Sequence, residues 1–298
     1  MVFCNSKRST PDFPLTRPLG WLYSVISVLR FVAFFALWTV VPVHADTVRL
    51  STGHWPPYLN ESSEHHGLAG QVIREAFASQ GISVEFVFLP WSRALWQARS
   101  DQFHGTAIWS CTSERLKNFL FSAPILPFRY SLYYRKSNDF DWEAIEDLEG
   151  TTIGLTQDYG YGERLEKAID EGLVEIEMTT SDESNLRKLA KGRVDLVPMD
   201  PLTAKIMQKD WLDKEERNLL AVHDKPIREA SYHVLFNPRH PQAAKLKEAF
   251  DNGLSEMRAS GRLRSLVKQN TLPTEAGYIL GRMEDIWLQA DQACSDEP

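Results

Sequence analysis

A short segment in the first half of the chain combines strand-forming residues, hydroxyl groups and an arginine in an order that suits anion binding. The run Thr106–Trp109 has the length and composition of a strand, and small polar residues follow it. Thr112 or Ser113 can cap a helix that begins near Glu114. The free N–H groups and the positive dipole end of a helix start attract negative charge, and Arg115 adds a planar cation that matches a carboxylate. The segment therefore predicts a carboxylate site, with a solvated surface turn as the alternative.

The residues of this segment resemble a signature of periplasmic solute-binding proteins. The pattern is Ser110-x-Thr112-x-x-Arg115, and an aromatic segment that contains a serine and a proline follows at 119–124. The closest similarity is to the family that binds polar and other amino acids for ABC importers, and it extends over residues 47–272. The resemblance implies that the serine, threonine and arginine of the pattern hold the α-carboxylate of the ligand.

The same resemblance assigns further residues to a ligand cleft. Trp55 takes the position of an aromatic residue that stacks on the ligand, and Trp91 matches a second aromatic residue of the side-chain pocket. Trp109 and Tyr159 are further candidates for the cleft wall. Asp200 matches the acid that receives the α-amino group of the ligand, although a carboxylate before a helix is also simply a good N-cap. Capping and ligand binding can coexist at this position.

Four positions depart from the pattern of the family. Ala69 and Gln71 stand where relatives commonly carry acidic residues, which weakens the case for a ligand with a cationic side chain. Asp158 and Tyr159 stand where relatives often have glycine followed by threonine or serine, so a hydroxyl clamp is not expected there. These departures keep open a binder of some other carboxylate, in which Asp200 serves only as a cap.

Strand and helix patterns alternate along the chain and cross twice between two groups of elements. They predict an α/β protein with a two-lobed periplasmic-binding-protein fold, mainly parallel sheets and a hinged cleft. The cleft should lie at the carboxyl ends of the strands, where the candidate residues fall. We expect lobe 1 to comprise residues 46–136 and 230–272, lobe 2 to comprise residues 137–229, and residues 273–298 to form a helical extension.

Two finer expectations concern side chains and strand limits. Leu95 and Trp96 lie on the helix after Trp91, and both are expected to pack in the core. The last strands are expected at 219–223 and 232–236, as two separate elements.

Composition limits the classes of partner. The chain has 298 residues, of which 43% are apolar and 24% charged, the balance of an ordinary globular protein. Its formal net charge of −7 argues against nucleic acid as a partner. We expect a monomer without cofactor or metal, whose partners are a small-molecule ligand and a membrane ABC permease or a sensor protein.

The first 45 residues have the pattern of a signal peptide. Lys7, Arg8 and Arg17 supply positive charge, and residues 31–43 form an apolar run. The small-x-small site Val43-His44-Ala45 predicts cleavage after Ala45. An uncleaved membrane anchor is the alternative. Cleavage would give a periplasmic protein.

Cleavage would remove Cys4 and leave two cysteines. Cys111 lies in the proposed site and Cys294 in a polar tail, so the sequence leaves open whether they pair.

These observations favour an exported binding protein that captures a small carboxylate-bearing ligand, first of all an amino acid, and delivers it to an ABC importer. Periplasmic enzymes such as dehydratases share this fold and are one alternative, although no nucleophile–base pair is evident. A sensory module and an orphan binder of another carboxylate are the others.

Overall fold

The computed structural model describes residue 1, residues 46–271 and residues 273–288. The predicted signal peptide (apart from Met1), its cleavage site and Cys294 lie outside the described residues. Within the described part of the chain, no helix is both long and apolar enough to cross a membrane.

The described residues alternate between strands and helices, as the sequence predicts. The strands are β1 Thr47–Thr52, β2 Ser83–Phe88, β3 Gly105–Ser110, β4 Leu120–Phe121, β5 Leu126–Arg135, β6 Thr152–Thr156, β7 Glu175–Thr179, β8 Leu196–Met199 and β9 Leu220–Phe236. The helices are α1 Gly67–Ser79, α2 Trp91–Gln97, α3 Ser113–Asn118, α4 Glu163–Asp170, α5 Asp182–Ala190, α6 Pro201–Trp211, α7 Lys214–Leu219, α8 Ala243–Ala259, α9 Arg262–Asn270 and α10 Pro273–Leu288. A 3₁₀ turn spans Ile145–Leu148.

The strands form one curled sheet in the order β2-β1-β3-β9-β5-β8-β6-β7, and β4 pairs with β9. In the first lobe, β1 pairs in parallel with β2 and β3. In the second lobe, β6 pairs in parallel with β7 and β8. Both crossings between the lobes use the long antiparallel pair β5·β9. The α/β two-lobed fold is therefore confirmed.

The two strands predicted at 219–223 and 232–236 are a single strand, β9. Residues between them continue the ladder with β5, as in the pair Arg228–Tyr130. Pro226, which has no N–H group to donate to a ladder, lies opposite Ser131 where the register shifts. The strand pattern of the sequence is interrupted at this point because the ladder with β5 is irregular there, but β9 continues through it.

The expectation that Trp96 lies in the core is wrong, because its side chain is 68% exposed. Helix α2 has seven residues and buries Ala94. Trp96 is two residues further on, about 200° around the helix, so it faces away from the sheet. Leu95 is half-buried and packs against the smaller core cluster around Trp109.

Helix α8 buries an apolar stripe with Leu246, Phe250 and Leu254 at its centre. The C-terminal helix α10 packs against β5, one of the crossing strands. Its side chains Ile279 and Met283 are buried, and the Tyr278 hydroxyl donates to Oε1 of Glu229 on β9 at 3.2 Å. This helix therefore braces the strands that join the lobes.

Candidate functional site

The carboxyl end of β3 carries a β-bulge. The register against β9 shifts between Ala107 and Trp109, and Ile108 between them has a φ of 65°. A bulge changes the direction in which the following side chains point. Trp109 and Ser110, which follow the bulge, both line the cavity described below, and Nε1 of Trp109 donates to Oγ1 of Thr106 at 2.7 Å.

Helix α3 places Arg115 beside the end of β3. Thr112 is its N-cap, and Oγ1 of Thr112 accepts the Arg115 N–H at 3.2 Å. The Arg115 side chain is 6% exposed. Its Nη1 donates to the carbonyl of Ser110 at 2.8 Å and to the Ser110 hydroxyl at 3.2 Å, and its Nη2 donates to the carbonyl of Asp158. The serine, threonine and arginine of the sequence pattern thus lie together.

The acceptors that the described residues offer to Arg115 are all uncharged oxygens. The guanidinium carbon also lies 4.6 Å from the centre of the Trp109 ring. Burial lowers the pKa of Arg115 to about 10, so the group remains charged at neutral pH. A buried cation with neutral acceptors at a cavity wall is a suitable partner for an anionic ligand.

A cavity of about 30 Å³ lies between the lobes, next to Arg115. This volume holds roughly two or three water molecules, so a larger ligand can enter only if the lobes separate. Six of the eight candidates from the sequence line it, whereas Thr112 and Asp200 do not. The lining residues are Trp55, Trp91, Ile108, Trp109, Ser110, Arg115, Tyr130, Tyr159, Gly160 and Tyr232.

The aromatic rings that line the cavity pack edge to face against one another. The Trp55 and Tyr159 rings are 5.4 Å apart at 82°, and the Trp91 and Trp109 rings are 5.1 Å apart at 90°. Nε1 of Trp55 donates to the hydroxyl of Tyr232 at 3.0 Å. Such edge-to-face pairs favour defined ring positions, so the wall presents a fixed shape to a ligand.

Several residues at the site were missed by sequence reasoning. Tyr130 and Arg228 are register partners on the two crossing strands, and Tyr232 follows Arg228 by four residues on the same strand. Alternate residues of a strand share a face, so the spacing 228, 230, 232 was the available signal. This spacing could not be assigned to the site without knowledge of the partner strand and of the position of the cleft.

Two guanidinium groups join the lobes. Nη1 of Arg228 donates to the carbonyl of Gly160, and its Nη2 donates to the carbonyl of Cys111 at 3.0 Å. Arg115 reaches the neighbouring carbonyl of Asp158. The loop after β6 therefore approaches the β3–α3 segment closely, and the lobes are in contact across the cleft.

Two buried carboxylates of the second lobe lie near this contact. Oδ1 of Asp200 accepts the N–H of Thr203 at 3.0 Å, so Asp200 caps α6 as the sequence predicts, and its Oδ2 accepts the hydroxyl of Tyr58 at 3.4 Å. Asp182 accepts the hydroxyls of Thr156 and Tyr159, each at 2.8 Å. Burial raises the pKa of each carboxyl to about 6. Asp200 thus accepts hydrogen bonds from one backbone amide and one hydroxyl, and Asp182 accepts from two hydroxyls.

Comparisons with known proteins identify the family of the chain. The family described as bacterial extracellular solute-binding proteins, family 3, matches residues 49–272. The chain belongs to this family. No match was found among curated proteins.

Solved structures of solute-binding proteins and related domains share the fold. An ancestral arginine-binding protein bound to arginine is 20% identical to this chain, with a TM-score of 0.62. The aligned region covers 76% of this chain and 98% of the arginine-binding protein. A histidine kinase sensor domain similar to periplasmic binding proteins is 18% identical with a TM-score of 0.65, covering 76% and 96%. An ancestral amino-acid-binding protein, a precursor of cyclohexadienyl dehydratase, is 18% identical with a TM-score of 0.59, covering 75% and 95%.

Cys111 of this family member is disulfide-bonded. The other two cysteines of the chain, Cys4 and Cys294, lie outside the described residues, so whether Cys111 pairs with Cys294 stays open, as in the sequence.

Burial of Asp200 predicts a pH-dependent stability. Its raised pKa means that the folded state binds a proton more tightly than the unfolded chain does, so the free energy of unfolding falls as pH rises from about 4 to about 6. Asp200→Asn should remove this contribution, which is on the order of 2–3 kcal/mol. Urea unfolding at pH 4 and pH 7 measures it as the difference between wild type and variant. Asp224→Asn, at an exposed position, is the control. An unchanged pH dependence in Asp200→Asn would contradict the assignment.

Proposed function

We propose that this protein is an exported solute-binding protein that captures a small carboxylate-bearing ligand by closure of its two lobes. The observation that carries the proposal is Arg115, a buried guanidinium at the wall of the inter-lobe cavity whose described acceptors are uncharged oxygens. A ligand carboxylate is a stronger acceptor for this group than a backbone carbonyl, because its hydrogen bonds are charge-assisted.

A few residues have distinct roles in the proposed site. Arg115 and the hydroxyl of Ser110 bind the carboxylate, and Thr112 fixes the helix start that carries the arginine. The rings of Trp55, Trp91, Trp109 and Tyr159 enclose the remainder of the ligand. An amino-acid ligand would need, in addition, an anionic partner for its ammonium group in the second lobe, and Asp200 is the residue predicted for it.

Closure follows from the way the two lobes share the site. With the predicted boundaries, residues 46–136 and 230–272 supply the arginine and most of the rings, and residues 137–229 supply the loop that carries Tyr159 and Gly160. A ligand that contacts both lobes binds the closed form more tightly than the open one, so it shifts the hinge equilibrium toward closure.

Delivery to an ABC importer of the membrane is the role that family membership supports best. In this proposal the signal peptide is removed after Ala45, and the mature protein acts in the periplasm as a monomer. Binding without turnover is proposed, because the buried carboxylates nearest the cavity are engaged with tyrosine hydroxyls and not with a nucleophile. The sensor domain and the dehydratase precursor among the structural neighbours define the alternatives to test.

The test has two stages. Protein purified after expression of the full chain is screened by thermal shift against a panel of small carboxylates, and a ligand of the folded state must raise the melting temperature. Uptake of the radiolabelled ligand is then compared between the source bacterium and a strain that lacks this protein. Lost uptake supports the importer role. Normal uptake with a lost transcriptional response would select the sensor, and consumption of the ligand by the purified protein would select the enzyme.

A further inference from the structure

We propose that the ligand of this site is a carboxylic acid whose body carries no ammonium group, so that the site rejects amino acids in favour of their deaminated analogues. The inference rests on the proposed function and narrows its ligand class.

The walls of the cavity carry positive charge and no carboxylate among the described residues. Arg115 is the charged member of the ten lining residues. The guanidinium of Arg228 lies just behind the same wall, with Nη1 3.4 Å from the hydroxyl of Ser110. A ligand ammonium here would be desolvated beside Arg115, with no carboxylate among the described residues that line the cavity, which is unfavourable. A carboxylate would be favoured by the guanidinium of Arg115.

Asp200, the predicted ammonium partner, lies outside the lining. It is 2% exposed, and both of its oxygens already accept hydrogen bonds, from Thr203 and from Tyr58. The Tyr58 ring packs 5.5 Å from the ring of Tyr232, and Tyr232 does line the cavity. Two tyrosines thus separate this carboxylate from the ligand space, and the Tyr58 hydroxyl takes the place that an ammonium group would need.

Asp182 is screened in the same way. The Tyr159 hydroxyl donates to its Oδ2 at 2.8 Å, and Thr156 donates to its Oδ1 at 2.8 Å. Tyr159 itself lines the cavity. Each carboxylate therefore already accepts a hydrogen bond from a neutral tyrosine hydroxyl, Tyr58 for Asp200 and Tyr159 for Asp182, and a ligand ammonium would have to displace it.

The remaining polar groups of the cavity suit an acid. Tyr130 lines the cavity, and its hydroxyl makes no hydrogen bond with any described residue. Burial raises its pKa, so it stays a neutral donor. It can complete the hydrogen bonding of a carboxylate held by Arg115 and Ser110. The face of Trp109 is already covered by the guanidinium of Arg115, which leaves less aromatic surface for a cationic ligand.

Matched ligand pairs test the proposal. Isothermal titration of protein purified after expression of the full chain compares alanine with propionate, leucine with 4-methylpentanoate, and phenylalanine with 3-phenylpropionate, and adds glycine betaine. We expect the deaminated member of a pair to bind at least about tenfold more tightly than the amino acid. Tighter binding of the amino acid overturns the proposal. If glycine betaine binds more tightly than the deaminated acids, the proposal is also overturned, and the result points to cation–π recognition of an alkylated ammonium.

Asp200→Asn separates the two possible roles of this carboxylate. The variant should bind the preferred deaminated acid within about twofold of wild type, because Asp200 acts as a cap. A loss of amino-acid affinity above about tenfold in this variant would identify Asp200 as an ammonium partner and overturn the proposal. If no member of any pair binds and no small carboxylate raises the melting temperature in the thermal-shift screen, the carboxylate-binding function itself fails, which is a distinct outcome.

Discussion

Arg115→Ala is expected to reduce the affinity for the carboxylate ligand by about a hundredfold or more, since removal of one partner of a buried charge pair leaves the other unpaired. The guanidinium is 6% exposed and touches the hydroxyl of Ser110 at 3.2 Å, so solvent cannot replace it well. Isothermal titration with the ligand found in the thermal-shift screen measures the loss. The affinity of Arg115→Lys should fall between wild type and alanine, because lysine keeps the charge and loses the planar fork.

Arg93→Ala is the matched control for this experiment. Arg93 lies on α2, two residues after Trp91 of the aromatic wall, and is exposed. Its loss should leave affinity within about twofold of wild type, as for an exposed surface residue. Urea unfolding of both variants without ligand shows whether they fold. A folded Arg115→Ala protein that binds as tightly as wild type would remove the central residue of the proposed site.

Local features of the site could be predicted from the sequence because they are short-range. Ser110, Thr112 and Arg115 lie within six residues, and a helix cap fixes their relative positions through backbone hydrogen bonds. The cap at Asp200 was predictable for the same reason, since it needs only the following helix.

The partners of these residues were not predictable, because they come from distant parts of the chain. The hydroxyl that meets Asp200 belongs to Tyr58, 142 residues earlier, and the arginine that meets Ser110 is Arg228, 118 residues later. These pairings follow from lobe packing, which a single sequence does not encode in any local pattern. Trp96 is a further example. A tryptophan is expected in the core because it is large and apolar, but the position of Trp96 on a seven-residue helix places it in solvent.

Gly160→Ala is expected to hold the lobes apart and to weaken ligand binding by about ten- to a hundredfold. A Cβ on Gly160 would lie 2.8 Å from Cγ2 of Thr112, across the cleft, and 2.9 Å from Nη1 of Arg228. The threonine cannot retreat easily, because it caps α3 and holds the backbone of Arg115. The closed form therefore loses stability, while the open form has room for the extra methyl group.

Small-angle X-ray scattering with and without ligand separates this effect from a loss of folding. Wild type should contract when ligand is added, and Gly160→Ala should keep the larger radius of gyration at equal ligand concentration. The thermal stability of the variant without ligand should stay close to wild type if the clash exists only in the closed form. Gly277→Ala on α10 is the matched control, because no heavy atom lies within 4 Å of its added Cβ. If Gly160→Ala contracts and binds as wild type does, the close approach across the cleft is not part of the binding cycle, and closure must depend on other contacts.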